Sequence, residues 1–275
     1  MRRFELIILD FDGTFTDVER EAVPFLARYR EGLAALIGHD IDERWERCLA
    51  AVMSEPDTHG YRFDGHIVAP SHADPYILSS CVRQLVLAEL GRDLRLPELD
   101  PLFHDSYAYA DTVFRPDALE VAEAVIGHGG PVYVVSNSRT DNVVAKLEKL
   151  GDGLLEKIEV RGDARKFDLV PANESDLDLD DVPSTCDVPG LERPLYLRRG
   201  HYHDALSAIW RATGTEPAGT LVCGDIFELD LALPAALGAR VHLVGRASTP
   251  AWEREAVERA GGTFSTELRG LLACL

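Results

Sequence analysis

Two aspartates stand two residues apart near the start of the chain, in the segment LIILDFDGTFTD at residues 6–17. Residues two apart on an extended segment project to the same side, so the carboxylates of Asp10 and Asp12 face one site. Paired carboxylates can bind a metal ion, attack an electrophile or transfer a proton. Gly13 follows them and lets the backbone turn sharply away from that site.

The apolar run that precedes these aspartates predicts a buried strand. Residues 4–9 are apolar or aromatic except for Glu5, and such a run is typical of a strand that is covered on both faces in a parallel sheet. Asp10 and Asp12 then lie at the carboxyl end of the strand. In open α/β sheets, ligands bind at that edge. The sequence therefore predicts an α/β fold with a site at the carboxyl edge of its sheet.

Two further apolar runs also end in polar residues. The segment PVYVVSNS begins at Pro131 and ends on Ser136 and Asn137, and GTLVCGDIFELD leads to Asp225 and Asp230. A hydroxyl group and the amides of a helix start can bind an anion, whereas carboxylates can bind a hard cation. Each segment by itself is also typical of a polar turn that caps a helix.

Together and in this order, the three segments resemble the motifs of the haloacid dehalogenase (HAD) superfamily, in its phosphatase branch. Residues 10–14, DFDGT, match the first motif, Ser136 matches the second, and Asp225 with Asp230 matches the fourth. Leu229 departs from this pattern, because the family commonly has asparagine there. The resemblance implies an α/β protein with a Rossmann-like parallel-sheet core, the HAD fold, and a mainly helical cap domain.

The resemblance also implies roles for individual residues. Asp10 would attack phosphorus and form an aspartyl phosphate, and Asp12 would give a proton to the leaving group and later take one from water. Four residues would contact the phosphoryl group: Gly13, Thr14, Ser136 and Asn137. Mg²⁺ would be held by Asp10, the backbone carbonyl of Asp12, Asp225 and, through water, Asp230.

A basic residue is also needed to balance the charge of the nucleophile and the phosphoryl oxygens. Lys166 follows the strand-like segment EKIEVRG at a distance typical of the family's third motif. Arg198 and Arg199 directly precede a helical pattern that leads into the fourth motif, where the family often places its cation. We favour Lys166 slightly, with Arg199 as the alternative catalytic cation and Arg198 as a substrate contact.

The organisation of the chain follows from its periodicity. Residues 18–112 carry apolar positions at three- and four-residue spacing, which predicts a helical cap domain inserted after the first motif. The core would then comprise residues 1–17 and 113–275. Within the cap, residues 55–75 are rich in Gly, Pro and His, and we expect a long loop there. Residues 167–195 are acidic and contain proline, which predicts a surface loop or flap insertion.

Composition restricts the class of protein. The 275 residues are 46% hydrophobic, enough for a real core, and the formal net charge is −19 at pH 7. That charge argues against nucleic acid and anionic membranes as partners, and no apolar stretch approaches the ~20 residues that span a bilayer. The five cysteines form no Cys-x-x-Cys pair, so neither disulfides nor zinc is indicated. We expect a cytoplasmic protein, and the sequence is compatible with an oligomer.

The predicted function is magnesium-dependent hydrolysis of small phosphomonoesters, with a phosphorylated metabolite as substrate. Asp12 favours phosphoryl transfer, because dehalogenases of the family usually lack this second aspartate. The main alternative is a catalytically silent HAD scaffold that binds or regulates another molecule. A haloacid dehalogenase and a phosphomutase are weaker alternatives.

Overall fold

The chain folds as two compact units in this computed structural model. The structure describes three ranges, residues 4–56, 58–171 and 179–275. One unit, here called the sheet unit, comprises Met1–Thr16 and Phe114–Leu275, and the other, the helical unit, comprises Asp17–Val113. Within the described ranges, every helix is too short or too polar to cross a bilayer.

Helices and strands alternate along most of the chain. The helices are α1 (Val18–Ile37), α2 (Asp42–Ser54), α3 (Pro75–Glu89), α4 (Leu99–Tyr107), α5 (Ala118–Gly127), α6 (Thr140–Leu150), α7 (Gly200–Thr213), α8 (Ala232–Ala236) and α9 (Ala251–Arg259). The strands are β1 (Leu6–Leu9), β2 (Gly60–Phe63), β3 (His66–Pro70), β4 (Val132–Val135), β5 (Ile158–Arg161), β6 (Thr185–Cys186), β7 (Leu195–Tyr196), β8 (Thr220–Gly224), β9 (Arg240–Val244) and β10 (Thr263–Ser265). A π-helix covers Phe227–Leu231, and short 3₁₀ helices cover Leu154–Glu156, Leu179–Asp181, Pro217–Gly219 and Leu268–Cys274.

A six-stranded sheet forms the centre of the sheet unit, in the order β10, β9, β8, β1, β4, β5. All five strand pairs are parallel. The strand that carries the first motif, β1, lies between the strands of the other two motifs, with Leu9 beside Val134 and Cys223. The predicted α/β class with a parallel-sheet core is confirmed.

Strand β1 is buried on both faces, as its uninterrupted apolar run predicts. Leu6 and Ile8 belong to the hydrophobic core on one side of the sheet, whereas Ile7 and Leu9 belong to the core on the other side. Full burial of each such side chain stabilises the fold by roughly 1.5–3 kcal/mol. The residues that directly follow β1 are therefore held on a rigid support.

The helical unit contains α1 to α4 and a hairpin. Helix α1 begins after Asp17, whose carboxylate accepts a hydrogen bond from the backbone N–H of Arg20, and ends at Gly38 in the left-handed conformation. These are the usual start and stop signals of a helix. Its buried face carries Phe25 and Tyr29, whose rings stack with centroids 5.2 Å apart. Aromatic packing thus forms the interior of this unit.

The predicted loop at residues 55–75 is wrong for its central part. Strands β2 and β3 pair there in an antiparallel hairpin. The turn consists of Asp64 and Gly65, both with positive φ, 46° and 82°. Asp-Gly is a strong signal for a two-residue hairpin turn, because both positions need left-handed backbone conformations that match the twist of the strands. The high content of Gly, Pro and His in this segment favoured the prediction of a loop over this local signal.

The acidic segment at residues 167–195 is packed onto the sheet unit where it is described, while residues 172–178 lie outside the described residues. Strands β6 and β7 pair in an antiparallel ladder. Several apolar side chains of the segment are buried in the core: Leu179, Val182, Val188 and Leu195. Burial of these residues explains why the segment lies against the core and does not spread over the surface as a loop.

Candidate functional site

The three motif strands are neighbours in the sheet, so their carboxyl ends meet at one edge. Asp10 follows β1, and its backbone N–H donates a hydrogen bond to the carbonyl of Cys223 on β8, at 2.8 Å. Ser136 follows β4 on the other side, and its N–H donates to the carbonyl of Arg161 on β5, at 3.0 Å. Asp225 follows β8. The edge predicted to carry the site therefore holds all three side chains.

Three buried carboxylates come together at this edge. Asp10, Asp225 and Asp230, here called the carboxylate cluster, each place one oxygen within 4.8 Å of the others. Asp230 lies on the π-helix, an element that is frequent at functional sites. One of its oxygens, Oδ2, accepts a hydrogen bond from the N–H of Ile226 at 3.0 Å. Hard oxygen donors in such an arrangement are those that a divalent cation prefers.

Gly13 makes the close approach of Asp225 possible. Its φ is +86°, and a Cβ atom at this position would lie 2.2 Å from Oδ2 of Asp225. The N–H of Gly13 donates to Oγ1 of Thr16, and its carbonyl accepts from Nη2 of Arg115 at 2.7 Å. Where the sequence predicts a substrate contact, the polar groups of Gly13 thus contact other parts of the chain.

Thr14 and Asn137 support the charged groups of the site. The Thr14 hydroxyl is fully buried and donates to Oδ2 of Asp10 at 3.1 Å. The side-chain oxygen of Asn137 accepts from the backbone N–H of Lys166 at 2.7 Å. Both residues are predicted to contact the phosphoryl group, and this stays a prediction; in the structure their side chains contact Asp10 and the backbone of Lys166.

Lys166 joins two members of the carboxylate cluster. Its ammonium donates to Oδ1 of Asp10 and to Oδ1 of Asp230, each at 2.8 Å, and its side chain is 1% exposed. Burial lowers the pKa of Lys166, but the charges of Asp10 and Asp230 more than offset this and raise it above its ordinary value. Burial in turn raises the pKa of Asp10, against the effect of Lys166. The lysine therefore keeps its charge beside these carboxylates.

Asp12 lies apart from the carboxylate cluster and is more accessible, with 21% of its side chain exposed. Its Oδ1 accepts from Nζ of Lys146 at 2.7 Å, and its Oδ2 accepts from the hydroxyl of Ser136 at 3.2 Å. Each oxygen therefore has a donor that fixes its direction. The arrangement separates one accessible carboxylate, which is suited to proton transfer, from buried carboxylates, which are suited to nucleophilic attack and to binding a cation.

The fold of this chain is similar to that of several solved protein structures. No family model and no curated protein matches the chain. A protein of Haemophilus somnus 129PT, named a predicted phosphoglycolate phosphatase, matches 100% of this chain and 99% of its own with a TM-score of 0.53 at 14% identity. Bacillus subtilis YfnB, a HAD protein solved bound to magnesium, matches 99% of both chains with a TM-score of 0.52 at 12% identity. A dehalogenase solved with an intermediate complex matches 100% of this chain and 98% of its own, with a TM-score of 0.50 at 16% identity.

The chain has the haloacid dehalogenase fold. Whole-chain coverage together with the parallel sheet decides this, and the resemblance stated from the three motifs is confirmed at the level of the fold. At these identities, the similarity establishes the fold, and the chemistry has to be argued from the residues of this chain.

Two of the three candidate cations of the HAD third motif make other contacts, and their predicted roles at the substrate stay predictions. Arg199 is fully buried, donates to the carbonyl of Lys166 at 2.6 Å and pairs with Glu228 at 3.5 Å. Nε of Arg198 donates to the carbonyl of Val182 at 2.7 Å. The physical reason is that Glu228 is a buried carboxylate and needs cations of its own. Lys166 is the candidate that contacts the carboxylate cluster.

Glu228 illustrates how the acidic segment is attached to this HAD core. Both of its carboxylate oxygens accept from Arg193, at 2.9 and 2.6 Å, in the bidentate geometry that makes arginine pairs strong. Glu228 lies on the π-helix two residues before Asp230. The segment that carries Arg193 therefore braces the element that carries one of the cluster carboxylates.

Sequence reasoning missed three residues of the site: Lys146, Tyr202 and Arg246. A signal existed for Arg246, because the apolar strand β9 ends two residues before it, in the same pattern as the three motifs. No comparable signal existed for Lys146, which lies on α6, or for Tyr202, which lies on α7. Their positions at the site depend on how those helices pack on the sheet.

Tyr202 is expected to support both Lys166 and Asp230. The Lys166 ammonium lies 5.3 Å from the centre of its ring, and its hydroxyl donates to the backbone carbonyl of Asp230 at 2.7 Å. Tyr202→Phe should lower the free energy of unfolding by about 1 kcal/mol through the lost hydrogen bond. Tyr202→Leu should lower it by about 3 kcal/mol, because the ring and its contact with the ammonium are also lost. Urea unfolding of the two variants measures this difference, and equal losses would contradict the supporting role of the ring.

Glu253 predicts a pH dependence of stability. It is 2% exposed and accepts from the N–H of Phe227 at 3.0 Å. Burial raises its pKa from 4.5 to about 8, aided by Glu228 and opposed by the Phe227 N–H and by Arg246. The folded protein thus holds this proton to higher pH than the unfolded chain. The stabilisation is complete below pH 4.5 and is lost as the pH rises toward 8.

Glu253→Gln keeps an acceptor for the Phe227 N–H and carries no charge. We expect it to exceed the wild type in free energy of unfolding by roughly 2–4 kcal/mol at pH 8, and by far less at pH 5. Urea unfolding of the metal-free proteins at both pH values measures the difference. Glu255→Gln on the exposed face of the same helix is the matched control. A difference that does not change with pH would refute this explanation.

Proposed function

We propose that the protein is a magnesium-dependent phosphatase that hydrolyses small phosphomonoesters through an aspartyl phosphate on Asp10. The observation that carries the proposal is the pairing of a buried carboxylate, held by Lys166 and Thr14, with the accessible carboxylate of Asp12 two residues later. A nucleophile and a proton-transfer group are thus supplied by one short segment. Phosphomonoester hydrolysis needs both groups.

The carboxylate cluster fits a magnesium ion by the chemistry of its donors. Asp10 and Asp225 would hold the ion directly, together with the backbone carbonyl of Asp12. Asp230 would act through water, as the resemblance implies, while its two oxygens accept hydrogen bonds from Lys166 and from a backbone N–H. When bound, the ion neutralises the negative charges of the nucleophile and the phosphoryl group. YfnB, which shares this fold, was solved bound to magnesium, and this supports magnesium as the metal.

The residues of the chain account for both chemical steps. In the first step, a carboxylate oxygen of Asp10 forms a bond to phosphorus while the ester P–O bond breaks, and Asp12 gives its proton to the leaving alkoxide. In the second step, Asp12 takes a proton from water, whose oxygen attacks phosphorus and releases phosphate from Asp10. Lys166 balances the charge of Asp10 throughout, and Ser136 keeps the Asp12 carboxylate oriented.

A haloacid dehalogenase is the second candidate, because a dehalogenase shares this fold over the whole chain. Dehalogenation needs the Asp10 nucleophile but no acid for a halide leaving group. A pair of donors that orients Asp12 has no task in that reaction. The geometry around Asp12 therefore favours the phosphatase.

The test is to assay the purified protein against p-nitrophenyl phosphate with magnesium and with a chelator, and against 2-chloropropionate with detection of chloride. We expect magnesium-dependent release of p-nitrophenol and no chloride. Release of chloride would favour the dehalogenase. Turnover of neither substrate, including across a panel of small metabolite phosphates, would contradict the proposal and favour a silent binding or regulatory scaffold.

A further inference from the structure

Arg246 lies directly against the carboxylate cluster. It follows β9, which pairs with β8, the strand that ends beside Asp225. Nη2 of Arg246 is 2.7 Å from Oδ2 of Asp225, and the two side chains are only 6% and 2% exposed. The backbone N–H of Arg246 donates to Oγ1 of Thr249 at 2.8 Å, which holds the turn after the strand. The guanidinium is therefore buried in direct contact with the carboxylate cluster.

Two cations among the described residues, Lys166 and Arg246, contact different members of the carboxylate cluster. Lys166 contacts Asp10 and Asp230, whereas Arg246 contacts Asp225. A buried carboxylate that is ionised without a cation is strongly unfavourable, so a protein that folds before it acquires a metal is stabilised by a cation at each of these positions. Arg246 provides that charge at Asp225, on an oxygen of the carboxylate proposed to bind magnesium directly.

We propose that Arg246 neutralises Asp225 in the metal-free protein and competes with the divalent cation for this carboxylate, so that it sets the metal affinity of the site. The inference rests on the metal site of the proposed function. Binding of the ion requires Asp225 to exchange part of its contact with the guanidinium for a contact with the metal. The arginine therefore lowers the affinity for magnesium while it stabilises the empty site.

Arg246→Met tests the competition by calorimetric titration of the metal-free protein with magnesium chloride. We expect magnesium to bind the variant about tenfold more tightly than the wild type, since a competing charge at contact distance is removed. Arg240→Met is the matched control, because Arg240 is an exposed residue at the start of the same strand and its loss changes the net charge equally. The control should bind magnesium within about twofold of the wild type, because exposed charges at a distance are screened.

Thermal unfolding gives a readout that is independent of turnover. Without metal, Arg246→Met should unfold at a lower temperature than the wild type, and magnesium should raise its unfolding temperature by more than it raises that of the wild type. Arg246→Lys keeps a cation and should show nearly wild-type affinity. If Arg246→Met does not fold without metal, Arg246→Gln replaces it in both measurements.

The outcomes separate the inference from the function on which it rests. Tighter binding in Arg246→Met, with an unchanged control, supports the competition. Equal or weaker binding in that variant, while the wild type binds magnesium, overturns the inference and leaves the phosphatase intact. A wild type that binds no magnesium overturns the metal site itself and the inference with it.

Discussion

Asp10→Asn is expected to lower the rate of p-nitrophenyl phosphate hydrolysis by roughly 10⁴-fold. An amide cannot form the aspartyl phosphate, and no other carboxylate of the site occupies its position after β1. The substitution should leave the fold intact. The amide oxygen can still accept a hydrogen bond from Lys166, and the amide NH₂ group can donate one to the hydroxyl of Thr14. We therefore expect the free energy of unfolding to stay within about 1 kcal/mol of the wild type.

The measurement is steady-state kinetics with magnesium, accompanied by circular dichroism and urea unfolding. Asp152→Asn, in an exposed turn, is the matched control and should have wild-type activity. A variant of Asp10 that keeps more than about one tenth of the wild-type rate would show that the activity belongs to another residue or to a contaminant. If Asp10→Asn loses activity because it unfolds, Asp10→Glu tests the nucleophile instead. That variant keeps the negative charge but moves the carboxylate oxygen away from the position of the nucleophile.

Lys166→Met is expected to have the largest effect on stability. It removes the ammonium from between Asp10 and Asp230 and leaves two buried carboxylates without their shared cation. Breaking a buried ion pair from one side typically lowers the free energy of unfolding by about 3–5 kcal/mol. Activity should be lost as well, because the charge of the nucleophile is no longer balanced.

A double-mutant cycle with Asp10→Asn distinguishes this cause from simple loss of packing. Removal of one carboxylate should recover about 1–2 kcal/mol in the double variant, because less negative charge is left unbalanced. Lys149→Met on the exposed face of α6 is the control and should change stability by less than about 0.5 kcal/mol. Strict additivity in the cycle would mean that Lys166 contributes through packing and not through its charge.

The elements that carry the motifs could be predicted because their signals are local. Strand β1 follows from a run of apolar residues, and its position between β4 and β8 brings Asp10, Ser136 and Asp225 to one edge. The hairpin at Asp64 and Gly65 also had a local signal, the Asp-Gly pair, which the composition of the surrounding segment outweighed in our interpretation. Such patterns act over a few residues and need no knowledge of the rest of the chain.

Charge pairing could not be predicted in the same way. Lys166 and Arg199 were comparable candidates in the sequence, and the structure separates them through the buried Glu228, which pairs with Arg199 and Arg193. The partner of each cation is decided by which carboxylates are buried near it after the helices and the acidic segment have packed. That information is spread over residues that are distant in the chain.

The sequence by itself determined the α/β class, the strand ends and the carboxylates that gather at them, because hydrophobic runs and the parallel arrangement place such residues on a common edge. Only the tertiary structure decided which cations meet those carboxylates: Lys166 at Asp10, Lys146 at Asp12 and Arg246 at Asp225. The physical reason is the distance along the chain over which each feature is specified. A strand is specified by its own residues, whereas an ion pair in the interior is specified by the docking of separate elements that must leave no buried charge uncompensated.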